Sequence, residues 1–156
     1  MALSAPNYQR GCKHLSSGER DLAALICTLK PELNEGVYAF VSVPDASLVS
    51  ADVVTADVLA TMREPEGVTM VVPLEVAQAA GLTPMFEACW ITLRVHSALD
   101  AVGLTAAIAT ALTSDSISCN VIAGAYHDHL FVPVAEAERA VVCLKRLQAR
   151  ALEDCA

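Results

Sequence analysis

The stretch from Trp90 to Pro133, WITLRVHSALDAVGLTAAIATALTSDSISCNVIAGAYHDHLFVP, constrains the fold more than any other part of the chain. At its start Cys89, Ile91, Leu93 and Val95 alternate with Trp90, Thr92 and Arg94, the period-two pattern of a half-buried strand. A loop holding Gly103 follows. Next comes a run of small apolar residues to about Ser114 that reads as a helix, with Ser97 or Asp100 as its cap. Ile117 to Ala123 reads as a strand, Gly124-Ala125 as a tight turn, and Tyr126 to Val132 as the returning strand. This β-loop-α-β-β order sets the loop at a helix N-terminus. Unpaired N–H groups and the helix dipole there suit a small anion.

The remaining segments extend the pattern. Ser16-x-x-Glu19 has the form of a capping box before Leu22, Leu25, Ile26 and Leu29, which recur at helical spacing, and Pro31 closes that helix. Val37, Ala39, Val41 and Val43 fall on one face of a strand that Gly36 opens. Pro44 to Glu66 is polar and irregular, with a short helix expected near Asp57 to Met62. Val68 to Val72 reads as a strand, and Leu74 to Ala80 as a short helix between Pro73 and Gly81. A last helix after Pro133 places Ala137, Val141, Leu144 and Leu147 or Gln148 on one side. The halves then read α-β-β-α and β-α-β-β-α, each one strand short of a βαββαβ unit. Two incomplete halves of similar size imply a tandem in which a strand is shared or exchanged. The expected division is a tail over 1–15, a first unit over 16–83, a second over 84–150 and a tail over 151–156.

Composition excludes several functions. Of 156 residues 54% are hydrophobic and 18% charged, so a substantial core is expected and disorder is not. Aromatics are only 4%, leaving Ala, Val, Leu and Ile to pack helix on sheet. A net charge of −8 gains nothing from releasing counterions of a phosphate backbone, so nucleic acid is not an expected partner. Neither is an anionic membrane surface. The apolar run Ala101 to Leu112 is too short to span a bilayer. The first twenty residues carry no apolar export signal, and the six cysteines form no C-x-x-C pair. Reduced thiols in the cytoplasm are the expectation.

Chemistry concentrates at two places. Around Gly103 small residues let a backbone or ligand approach closely. The helix N-terminus suits a carboxylate, and Asp100 suits an ammonium group, a pairing that fits a free amino acid. Ser97, Asp100 and Gly103 also have ordinary uses as caps and packing residues. The second place is His127-Asp128-His129. On a strand His127 and His129 share a face and Asp128 takes the other. They could line a ligand site, decorate an edge strand or, joined by His96 and Asp100, ligate a metal; a metal is not the expectation. The chain has no G-x-S-x-G, phosphate loop or G-x-G-x-x-G, and Cys119 lies in a packed strand where burial would raise its pKa. No catalytic residue and no cofactor are expected.

Asp100–Leu112 followed by Ile117–Gly124, DAVGLTAAIATAL and ISCNVIAG, resembles the signature of the ACT domain, a small regulatory module that binds amino acids. The chain is similar to the ACT pairs of aspartate kinases. Over a longer stretch it resembles a group of small stand-alone tandem ACT proteins. Their S-x-L-x-A-V-G-L-T-A and Y-H-D-H-L-F-V-P stand here at Ser97–Ala106 and Tyr126–Pro133, with first-half counterparts at Leu29–Tyr38 and Glu66–Pro73. Ala98 stands where that group is expected to carry serine. The resemblance implies an α+β, ferredoxin-like (βαββαβ) tandem with antiparallel sheets and helices on one face. It implies an amino acid or related metabolite as ligand, a homo-oligomer, and no catalysis. The implied contacts are Leu99, Asp100, Ala101, Val102 and Gly103 in the loop and Cys119, Asn120, Val121 and Ile122 on the next strand. His127 and His129 join them as candidate lining. The alternative is an oligomerisation module with no ligand.

Overall fold

Alternation of buried and exposed residues along the strands builds one curled antiparallel sheet. The computed structural model describes residues 18–45 and 58–154. Its strands are β1 (Pro31–Leu33), β2 (Tyr38–Val43), β3 (Ala60–Glu64), β4 (Gly67–Pro73), β5 (Phe86–Leu93), β6 (Asn120–Ala123) and β7 (Asp128–Pro133). Their order is β3-β4-β2-β5-β7-β6, and β1 lies beside β2 along the same side of β5. Among the described residues four helices, α1 (Leu22–Cys27), α2 (Leu74–Ala79), α3 (Leu104–Ser114) and α4 (Ala137–Asp154), cover one face.

The inward residues of each strand meet those helices. Ile91 and Leu93 on β5 and Leu130 and Val132 on β7 pack with Leu25, Ile108, Leu112 and Leu144. Ala39, Val41, Val43, Met70 and Val72 pack against α2 in a second cluster. The helix-free face gathers most of the chain's few aromatic residues, with Phe131, Val71 and Ala88 buried among Tyr38, Phe40, Phe86 and Trp90. The α+β, ferredoxin-like class and the one-sided helices expected from the sequence are both present.

A strand exchange accounts for the missing strands. Phe86–Ala88 pairs with Phe40–Tyr38 of the first half, and Ile91–Leu93 pairs with Leu33–Pro31. Between the two ladders β5 spends two residues where the opposite chain spends four, a bulge turned by Gly36 in a left-handed conformation (φ 88°). Asn34 closes it, its backbone N–H and its side-chain amide both donating to the Trp90 carbonyl, at 2.9 and 3.1 Å.

Several local expectations are corrected. Ser16 and residues 1–15 lie outside the described residues. The cap of α1 is Asp21, which accepts from the Ala24 N–H at 2.8 Å. The helix expected near Asp57 to Met62 is a strand over Ala60–Glu64, because it pairs with β4 across the two-residue turn Pro65-Glu66; Asp57 is outside the described residues. Helix α3 begins only at Leu104, and neither Ser97 nor Asp100 caps it. Strand β6 starts at Asn120 and β7 at Asp128, so His127 lies in the turn before the strand. Helix α4 runs to Asp154, through much of the segment read as a tail.

Candidate functional site

The loop between β5 and α3 is clamped from below by the start of the described chain. Glu19 and Ser97 form a parallel bridge. The Glu19 N–H donates to the His96 carbonyl, and the Ala98 N–H donates to that of Glu19, both at 2.9 Å. Arg20 reaches both oxygens of Asp100 at 3.0 and 3.1 Å. That guanidinium holds the Asp100 carboxyl below its usual range. Both side chains are exposed, so the pair contributes orientation more than stability.

Gly103 turns the chain into the helix with φ 106°, and a Cβ there would sit 2.9 Å from Leu22 Cδ2. Glycine satisfies both constraints. Among the described residues no side chain caps the helix, so the first-turn N–H groups at Leu104, Thr105 and Ala106 have no capping acceptor there. Leu104 is buried and pins the turn, whereas Leu99 and Val102 are 72% and 84% exposed. The loop therefore offers helix-end donors, a cation at Arg20 and an anion at Asp100 within one exposed turn. Arg20 was invisible to sequence reasoning, since it lies 80 positions from the carboxylate it meets.

Ser97 serves a different purpose. Burial raises the pKa of the Asp128 carboxyl, which is only 8% exposed, and the neighbouring His129 and then the Ser97 hydroxyl offset part of that rise. This joins the loop to the first residue of β7.

The other expected contacts are not brought to the loop. Leu93, where the loop departs, is abreast of Asp128 and, through it, Ala123; Asn120 lies three residues back, about 10 Å along the strand. Cys119 and Val121 pack against the helix-side core. Burial pushes the Cys119 thiol up to about 11, so it is protonated at neutral pH. Asn120 and Ile122 share the helix-free face and line a cavity there of about 290 Å³.

His129 is on that same face. Its Nδ1 accepts from Trp90 Nε1 at 3.0 Å, which places its proton on Nε2. His127 lies in the turn before the strand, and among the described residues its buried Nδ1 has no partner. Among the described residues no three His, Cys, Asp or Glu side chains group as metal ligands, so His127, His129, His96 and Asp100 do not converge.

Burial, then the neighbouring His127, lowers the His129 pKa from 6.5. Above pH 6.5 the ring is neutral whether folded or unfolded. As pH falls below 6.5 the unfolded chain takes the proton first, so stability drops until the lower folded pKa is passed. Urea denaturation between pH 7.5 and 5 should show this decline. A His129→Gln variant, neutral throughout, should show a shallower one, and equal slopes would exclude the linkage.

Two family models match the chain, both described as ACT domain, over residues 17–89 and 85–146. A solved Vibrio cholerae protein is 46% identical, covering 81% of this chain and 95% of its own, with a TM-score of 0.71. The chain belongs to the ACT-domain family. That Vibrio protein is described as of unknown function and a possible transport protein. An Agrobacterium tumefaciens protein aligns at 17% identity over 77% of this ACT protein and 89% of its own chain, with a TM-score of 0.59. The regulatory subunit of aspartate kinase from Thermus thermophilus aligns at 14% identity, over 77% and 97%, also at 0.59. At these identities the likeness is one of fold. No curated protein shows significant similarity to the chain. The two ACT matches lie in tandem, and among the described residues no helix is long and apolar enough to cross a membrane.

Proposed function

We propose that this tandem ACT protein is a regulatory sensor that binds a free amino acid at the Leu99–Gly103 loop and has no catalysis of its own. The observation that carries the reading is the uncapped N-terminus of α3 beside the Arg20–Asp100 pair. A ligand carboxylate would take the helix-end N–H groups and the Arg20 guanidinium. Its ammonium group would take Asp100, displacing part of the ion pair made within the protein. Leu99 and Val102 would close over the ligand side chain. Cys119, protonated and half-buried, is a poor nucleophile, which fits a binding role. Cytoplasmic residence fits the free thiols at Cys89, Cys119 and Cys143.

In this reading Asn120 and Ile122 take no part in the loop site of the same chain, and the side chains of Cys119 and Val121 pack against the core. A homo-oligomer could bring the loop of one copy to the strand of another. The exposure of Leu99 and Val102 favours a second reading, in which the loop is an association surface with no ligand.

A thermal-shift screen against the twenty amino acids separates the two. A ligand at a hundred times its Kd should add about 2.7 kcal/mol of stability. The response should shrink in Asp100→Asn, whose side chain is exposed and whose loss leaves the core intact. Absence of any shift, with a loop-dependent dimer on sedimentation, would replace the sensor by the association module.

A further inference from the structure

The helix-free side of the sheet holds a recess that the loop site does not use. The sheet curls until its two terminal strands, β3 and β6, form facing walls over β2 and β4. The cavity between them measures about 290 Å³, room for about ten non-hydrogen atoms at liquid density. Phe40, Met62, Val71 and Ile122 supply an apolar lining, and Asn120 and Glu64 are polar groups among them. An apolar recess with a few polar groups is the usual form of a small-molecule site.

Among the described residues of that lining Glu64 is the one formally charged, and the chain around it is net negative by 8. One carboxylate oxygen, Oε2, accepts from the Thr69 hydroxyl; Oε1 has no protein partner among the described residues. A carboxylate or phosphate ligand would meet repulsion here, and a cation would meet an available acceptor. The ring of Phe40 and the thioether of Met62 suit an aromatic or aliphatic body.

We propose that this cavity is a second binding site, for a small primary amine carrying an aromatic or aliphatic body. It shares no residue with the Leu99–Gly103 loop and recognises the opposite charge. Its occupancy would brace β3 against β6, the two ends of the sheet.

The structure also supplies a reporter. Trp90, the one tryptophan, lines a smaller recess that shares Ala60 and Ile122 with the cavity. The full-length chain would be titrated with 2-phenylethylamine and, separately, with 3-phenylpropionate, reading Trp90 emission. The amine should give a saturable change and bind at least fivefold tighter than the acid, the scale of one exposed ion pair. Glu64→Gln should bring the two to parity, and Ile122→Phe, which fills the cavity from its wall, should abolish both. Circular dichroism confirms that each variant folds. Asp100→Asn should leave amine binding unchanged, so failure of the loop site and failure of this one read differently. No saturable change, equal binding of amine and acid to the unmodified chain, or an undiminished response in Ile122→Phe would overturn the proposal.

Discussion

Phe131→Ala is expected to lose about 3–5 kcal/mol of folding stability, a large share of what a domain of this size has. Phe131 is 1% exposed and lies on the helix-free face of β7. Its ring meets Phe40 edge to face, with centroids 5.3 Å apart and planes at 87°. Its backbone pairs with Trp90 on one side and Asn120 on the other, so it stands where both halves of the sheet meet. It also walls the small recess beside Trp90, and truncation would enlarge that void instead of letting neighbours close in. Urea denaturation should show a lower midpoint with an unchanged slope. A loss below about 1 kcal/mol would mean that the aromatic cluster is not a cohesive second core.

Gly67→Ala is expected to cost about 2–4 kcal/mol, far more than the usual toll of an exposed turn substitution. Gly67 has φ 148° and opens β4 directly after the Pro65-Glu66 turn. A Cβ there would sit 2.2 Å from the Val43 carbonyl oxygen and 3.0 Å from Pro44 Cα. Both neighbours are backbone and cannot swing aside as a side chain does. Relief requires the end of β2 to part from β4, which breaks the Val43–Val68 register. The same change at Gly81 meets nothing within 4 Å and is strained only by its φ of 67°, so it serves as the milder comparison. Equal losses at the two positions, measured by thermal denaturation, would show that the close approach to Val43 does not matter.

Much of the sheet was legible because burial is one-sided. Cys89, Ile91 and Leu93 alternate cleanly, since one face of β5 meets three helices and the other a thinner aromatic layer. Strands lacking that contrast left no signal. Ala60–Glu64 is mostly exposed along its length, and Pro31–Leu33 is three residues long with two of them exposed. Each is a strand because of what it pairs with, information that is absent from its own residues.

The loop failed for a related reason. Ser97 and Asp100 have cap chemistry, but Asp128 and Arg20 take their side chains, and both of those partners are remote in sequence. Gly103 then opens the helix by backbone geometry alone. The loop itself, its glycine and the helix behind it were readable. The cavity between β3 and β6 was not, because it exists only once those two strands curl toward each other.

The exchanged strand also sets the order of events during synthesis. Leu33 leaves the ribosome early, yet its partner Ile91 follows 58 residues later, roughly 3–12 s at ordinary elongation rates. Helix α1 waits longer still, because Gln148 donates to the Cys27 carbonyl 121 positions away. Helix α1 is thus among the last elements to be secured, and a nascent chain stalled before β5 carries Leu25, Ile26 and Leu29 without the partners from β5 onward that bury them. Long sequence separation between partners slows folding and lengthens the exposure of apolar surface.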